Sequence, residues 1–384
     1  MFFVILSGIC YGIKDTHRIL YINKSLYLCN IKHTGMKLYP FVIASILLSI
    51  LLLQGCNSNP VRARATGFAY EIVVTMDKAL WDSETGQSIK DDLESEIPGL
   101  PQPEAAFKIT YATPGNFNGL LTYVRNILVV KLDNSMYTKT SLTYENDRWT
   151  QGQVVLTITA PDAQSIVEYM KSNETNRIAR FFTNIEMNRA AEQFGKNYSK
   201  DVMDNVKSRF DIMLNVPTDI TYTRNEEDFF WASNNANTGR TDLIVYTFPY
   251  TDPNTFTEKY LIAKRDSVLK KNLPGAFPDS YMATETRYNL SYTPVTLRGK
   301  YCGILRGQWK MVGDMMGGPF VSHARLDETN NRVVVVEGFV YAPETNKRNF
   351  IRRIEAALYT LRLPGEFDQP AAEKTTPTER AISN

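Results

Sequence analysis

The feature that most constrains this chain is the uncharged run Phe41–Leu53, thirteen residues long and ending three positions before Cys56. A helix that crosses a bilayer needs about 20 apolar residues. The run is therefore too short for a comfortable span but has the length of a secretory signal core. Lys37 supplies the basic flank, and Leu53, Gln54, Gly55 and Cys56 follow the lipobox pattern: an aliphatic residue, a looser position, a small residue, then the cysteine that receives lipid. The sequence thus predicts a signal peptide over 36–55, cleavage before Cys56 and lipidation of that thiol. Each lipid CH₂ buried in a membrane contributes about 0.8 kcal/mol, so several acyl chains hold a protein in effect permanently. Residues 1–35 show neither helical period nor signal form. They read as an upstream extension created by a misplaced start, with translation beginning at Met36.

Processing at Cys56 changes the composition that matters. Segment 1–55 removes five basic residues and one acidic residue, leaving 38 Lys and Arg against 40 Asp and Glu, a net charge of −2. No basic stripe points to nucleic acid. Of the cysteines only Cys56 and Cys302 remain, and of the histidines only His323. With Cys56 committed to lipid, no internal disulfide and no cysteine-built metal site is expected, and no cofactor fingerprint is present. Some three hundred residues still suffice for an adequate apolar core.

Two stretches of this remainder follow the same order. Tyr70–Met76 reads as a strand, Ser83–Ile97 as a helix with Ser83 at its N-cap, Pro98-Gly99 as the stop, and Ala105–Ala112 as a strand. In the second stretch Thr241–Phe248 is a strand, residues 254–273 a helix, Pro274-Gly275 the stop, and a strand follows near 281–288. Both stretches end alike: strand 153–159 runs into Pro161-Asp162 and a helix, and strand 332–340 runs into Pro343-Glu344 and a helix to about Leu361. The expected fold is α+β: two related modules, 67–197 and 241–365, each an antiparallel sheet with helices on one face, from a possible internal duplication. Residues 56–66 are expected to be a tether, 198–240 a connecting segment with a strand at Phe210–Val216, and 366–384 a disordered tail.

Chemistry-bearing residues are sparse. The stretch 306–320 combines Trp309, Asp314, two methionines and Gly317-Gly318-Pro319. Successive glycine amides can form an anion-binding nest, which makes Trp309, Asp314, Gly317, Gly318 and His323 the candidate binding residues. The competing and favoured interpretation is a short apolar helical turn on the core, followed by a Gly-Gly-Pro turn into a hairpin over 319–341 with Asn330 and Asn331 at its tip. Cys302, in an apolar context, reads as a buried small residue; as a nucleophile it would need a base, and His323 is the one imidazole available. No nucleophile elbow, zinc-protease motif or dinucleotide fingerprint occurs, and no catalytic residue is assigned.

Three stretches, Gly307–Ser322, Arg332–Pro343 and Asn346–Leu358, together resemble a Bacteroidetes lipoprotein family, domain-of-unknown-function family 4837. The resemblance extends over about 36–365 and is strongest in the last third. It implies a lipid-anchored envelope protein of gut or oral Bacteroidales type and supplies no activity or catalytic residues. Asn57-Ser58-Asn59-Pro60 lacks the acidic run that sends some lipoproteins of that phylum to the cell surface, which favours the outer membrane facing the periplasm. The expected role is a non-enzymatic binding or structural module for an envelope protein or glycan. Two alternatives stand: a glycan or peptide hydrolase using carboxylates, and a small-ligand binder in the groove between the modules.

Overall fold

Runs such as Ile127-Leu128-Val129-Val130 and Val154-Val155-Leu156 have no polar face to offer solvent, and strands of this kind belong inside a sheet covered on both sides. The computed structural model, which describes residues 62–172, 176–288 and 290–371, places them so. Segment 1–35, the predicted signal 36–55 and Cys56 lie outside the described residues, as do 372–384 of the predicted tail. Among the described residues no helix is long and apolar enough to cross a membrane.

The first module contains β1 (Glu71–Thr75), a short α1 (Lys78–Trp81), α2 (Glu84–Leu93), β2 (Lys108–Ala112), β3 (Asn126–Leu132), β4 (Ser141–Asn146), β5 (Val154–Ala160), α3 (Ala163–Lys171) and α4 (Arg177–Lys196). Ser83 caps α2 by accepting from Thr85 N, and Asp162 caps α3 by accepting from Ser165 N. The sheet order is β2-β1-β3-β5-β4. Its β1–β2, β1–β3 and β3–β5 pairs are parallel and only β4–β5 is antiparallel. The expectation of an antiparallel sheet is therefore corrected for this module. The chain between β1 and β2 is long enough to carry α2 across the sheet, which is what a parallel neighbour requires.

The second module is α5 (Lys200–Phe210), β6 (Tyr222–Asn225), β7 (Phe229–Ser233), β8 (Arg240–Pro249), α6 (Glu258–Asn272), β9 (Tyr281–Glu285), β10 (Ser291–Leu297), β11 (Lys300–Val312), β12 (Gly317–Asp327), β13 (Arg332–Tyr341) and α7 (Arg348–Leu358). Its strands run β10-β11-β12-β13-β8-β7-β6, all antiparallel, with β9 extending the β10 edge of the long β11. Segment 198–240 thus contributes α5, β6 and β7 to this module. The strand expected at Phe210–Val216 does not form: Asp211, in the left-handed region, ends α5, and of the residues beyond it Met213 alone makes a bridge, to Arg362. The α+β class in two modules holds, but the modules do not share a topology. The same β-α-β order leads to a parallel neighbour in the first and to a distant edge in the second.

Helices α2, α3 and α4 cover one face of the first sheet, and the segment 117–124, with its 3-10 turn at Gly119–Tyr123, covers the other. The second sheet is covered on both, by α4, α5 and α7 on one side and by α6 on the other. On the α6 side, Arg265 reaches the centre of the sheet. Its guanidinium grips the Glu337 carboxylate of β13, with Nε–Oε2 at 2.9 Å and Nη2–Oε1 at 2.8 Å, donates to Thr284 Oγ1 at 2.8 Å and lies 3.7 Å over the Phe320 ring. Both side chains are buried. Removing one partner of such a pair strands a charge in the core. Arg265→Met is expected to lower the free energy of unfolding by about 3–5 kcal/mol in urea titration, and Glu337→Leu added to it to recover most of that loss. A single variant within about 1 kcal/mol of the parent contradicts this assignment.

Candidate functional site: a cavity between the modules

Helix α4 belongs to both modules. Ile178, Phe181 and Phe182 pack in the core of the first, while Met187 and Phe194 pack in that of the second. Its start is fixed by buried Asp92 of α2, whose carboxylate accepts from Ala179 N at 2.8 Å. Its middle is fixed by buried Glu186, which takes Asn126 Nδ2 at 2.8 Å and Arg189 Nη1 at 2.7 Å. The loop after α2 then meets α7. Glu104 accepts from Lys347 N at 2.6 Å and Arg348 N at 3.0 Å, supplying the N-terminal amides of α7 with a carboxylate from the other module. Gly99, at φ 86°, lies so close to Gly307 of β11 that a Cβ would come within 3.0 Å of its backbone.

A cavity of about 390 Å³ remains where α4, this loop, α7 and the β10–β12 edge converge. That volume falls in the range of small-molecule sites, which favour such boundaries. Its charged lining is Glu96, Arg180, Arg306, Arg352 and Glu355, and Tyr359 closes one wall. Arg306 Nε donates to Glu355 Oε1 at 3.0 Å. Burial works against the Arg306 charge, but Glu355 outweighs it and holds the guanidinium firmly protonated. Burial, helped by the Glu355 charge, raises the Tyr359 phenol above its usual range.

Arg352 differs from Arg306. It is buried, donates to Ala106 O at 3.0 Å and lies 4.3 Å over the ring of Tyr70, a residue with φ 63° that bulky side chains rarely adopt. Among the described residues no carboxylate forms an ion pair with it, and burial pulls its pKa down. A buried guanidinium beside an open cavity, with cation–π contact and no carboxylate ion pair among the described residues, has the geometry to accept an acidic group. Two carboxylates share the lining, and Glu355 is paired with Arg306.

The residues proposed from sequence lie elsewhere. Trp309 is a core residue of β11, its indole N–H donating to Val340 O at 3.2 Å. Residues 306–312 are strand rather than a helical turn, and the turn falls at 313–316. Asp314 sits in that turn and accepts from Met315 N at 2.6 Å. Gly317 and Gly318 pair with Lys310 and Trp309 inside the β-ladder, so their amides form no nest. Gly318 is required by packing, since a Cβ there would fall 2.1 Å from Val340 O. The 319–341 hairpin forms as expected, with Asn331 at φ 48°. Among the described residues, no group of three or more His, Cys, Asp or Glu is placed to hold a metal ion.

Cys302 and His323 face the same core from adjacent strands as a diagonal pair, with Cys302 opposite Arg325 and His323 opposite Ile304. Their environment disables them. Burial pushes the thiol up to about 12, and burial together with the charges of Arg306 and Arg325 drives the imidazole well below its ordinary value. Both groups are neutral, which removes the thiolate–imidazole chemistry. His323 instead packs edge-on against Tyr359 at 4.7 Å, and among the described residues neither ring nitrogen has a hydrogen-bond partner.

The cavity residues were not among the sequence candidates, although one signal marks them. Arg352, Glu355 and Tyr359 of the lining, with Arg348 one turn earlier, recur at helical spacing and form a polar stripe beside the apolar stripe of Ile351, Ile354 and Leu358. A charge stripe that runs along a buried helix has to face a partner.

Residues 199–360 match the family model described as domain of unknown function DUF4837, and residues 65–195 match that of a second, DUF8532. The two modules thus correspond to two different family models, and the DUF4837 resemblance is supported for the second module. No curated protein matches the chain.

His323 also sets a pH dependence. The unfolded chain takes up a proton near pH 6.5 that the buried ring refuses. Its contribution to stability is full above that pH and is lost progressively as pH falls toward the depressed folded value. Urea midpoints measured from pH 7 to pH 5 should decline more steeply in the parent than in His323→Phe. Parallel declines would show that the ring is not the group responsible.

Proposed function

We propose that this chain is a lipid-anchored protein of the cell envelope, held by acyl chains on Cys56 at the outer membrane and facing the periplasm, and that it is a non-enzymatic binding protein. Its ligand is a small envelope-derived molecule with an acidic group, received in the cavity between the modules. The observation that carries this reading is Arg352, buried against Tyr70 at the cavity wall with no carboxylate ion pair among the described residues. The Arg306–Glu355 pair adds a fixed donor and acceptor on the same surface, so the site offers both an anion contact and a polar pattern for selectivity. A shape-matched acidic ligand offsets the remaining cost of burying the Arg352 charge.

The anchor is tested by labelled fatty acid. Incorporation into the full chain is expected, with loss in Cys56→Ser and release of that variant from the membrane fraction. Label retained in Cys56→Ser contradicts it. The site is tested by thermal-shift and calorimetric titration with envelope-derived acidic sugars, phosphates and peptide carboxylates beside their neutral counterparts. A saturable shift confined to acidic members is expected. Arg352→Met should weaken binding by roughly ten- to a hundredfold, the value of a hydrogen bond to a charged group. Equal binding of neutral members, or undiminished binding by Arg352→Met, contradicts the assignment.

A further inference from the structure

Because β1, β3 and β5 are adjacent and parallel, all three begin at the same edge of the first sheet. The segment preceding each strand leaves a large apolar side chain in solvent there. Phe68, before β1, is 76% exposed; Leu120 and Tyr123, before β3, are 86% and 40% exposed; Trp149, before β5, is 38% exposed. Single exposed apolar residues are commonplace, but a row of them is not. They are also held rigidly. Ala65 N donates to Gln151 O at 2.9 Å, Thr66 N to Tyr123 O at 2.8 Å, and Gln153 Nε2 to Thr122 O and Val124 O at 2.8 and 2.7 Å. Trp149 packs on Phe117 at 5.5 Å.

These same hydrogen bonds bring the chain from Cys56 into the fold at this edge. Five residues lie between Cys56 and Arg62, a reach of at most about 20 Å. Arg62 and Arg64 are exposed beside the row, and the Arg148 guanidinium stands 4.7 Å over the Trp149 ring. Tryptophan and tyrosine favour the headgroup level, and arginine favours anionic lipid.

The geometry points to this exposed row as a membrane-docking face, whose occupant is the lipid surface that holds the anchor. The inference rests on lipidation of Cys56 as proposed above. The row turns a loose tether into a defined orientation, with the exposed loops that precede β1, β3 and β5 against the headgroups.

The test uses the full lipidated chain in vesicles of phosphatidylethanolamine and phosphatidylglycerol with or without brominated acyl chains. Tryptophan is introduced by L120W or, as a reference in the second module, by F277W. Both sites are already exposed, so neither substitution threatens folding. The fluorescence added by L120W should fall by at least roughly half in brominated vesicles, whereas that added by F277W should be unchanged. The signal of native Trp149, isolated by subtracting W149F, should follow L120W. A chain that washes off the vesicles at alkaline pH overturns both the anchor and the face. A chain that stays anchored while L120W and Trp149 go unquenched overturns the face alone, as does equal quenching of F277W. Protection of the row by a second copy of the chain leaves it unquenched and counts against the proposal.

Discussion

Everything at the centre of this protein depends on one helix being buried twice. Helix α4 gives its first turns to the core of the parallel sheet and its last turns to the core of the antiparallel one. A helix that served a single sheet would show one apolar stripe. This one carries Ile178, Phe181 and Phe182 toward one layer, Met187 and Phe194 toward another, and Glu186 inward at the crossing point. Burying that carboxylate is tolerable only because Asn126, Arg125 and Arg189 all reach it. The join between the modules is thus apolar burial at both ends of one rod, with a satisfied polar network between them.

The cavity follows from that arrangement. Two cores curving away from a shared helix leave space where their surfaces diverge, and the loop after α2 with the charged stripe of α7 closes it. The polar groups on its walls come from both modules, so neither module alone forms the site. Glu104 capping α7 and Arg352 reaching Ala106 O tie the walls together across the boundary. A ligand seated there would touch both modules at once and favour the joined state over any separated one.

Much of the fold was legible from residue pattern. Valine-rich β13 and β5, the Ser83 cap, the Pro-Gly stops and the Asn331 turn are local chemistry, and local chemistry is what a single sequence displays. Strand direction was not legible. Ile127–Val130 signals burial on both faces but not which way its neighbours run, and equal spacing of two punctuated stretches does not imply equal topology. The candidate site was misplaced for a related reason. Trp309, Gly317 and Gly318 look unusual along the chain because close packing demands them: the indole needs Val340 O, and Gly318 needs to let that carbonyl approach. Arg352 looks ordinary along the chain and becomes informative only when Tyr70, far away in sequence, is found beneath it, with Glu355 turned to Arg306 instead.

If α4 welds the two modules into one cooperative unit, its amides should open only when both sheets open. Native-state hydrogen exchange on the full chain, followed peptide by peptide through increasing denaturant, measures this directly. The account predicts that α4, β3 and β5 of the first sheet, and β12 and β13 of the second converge on a common opening free energy and move together. Exchange of α4 with one sheet while the other stays protected would contradict it, and would reduce the cavity from a shared site to a seam between independent domains.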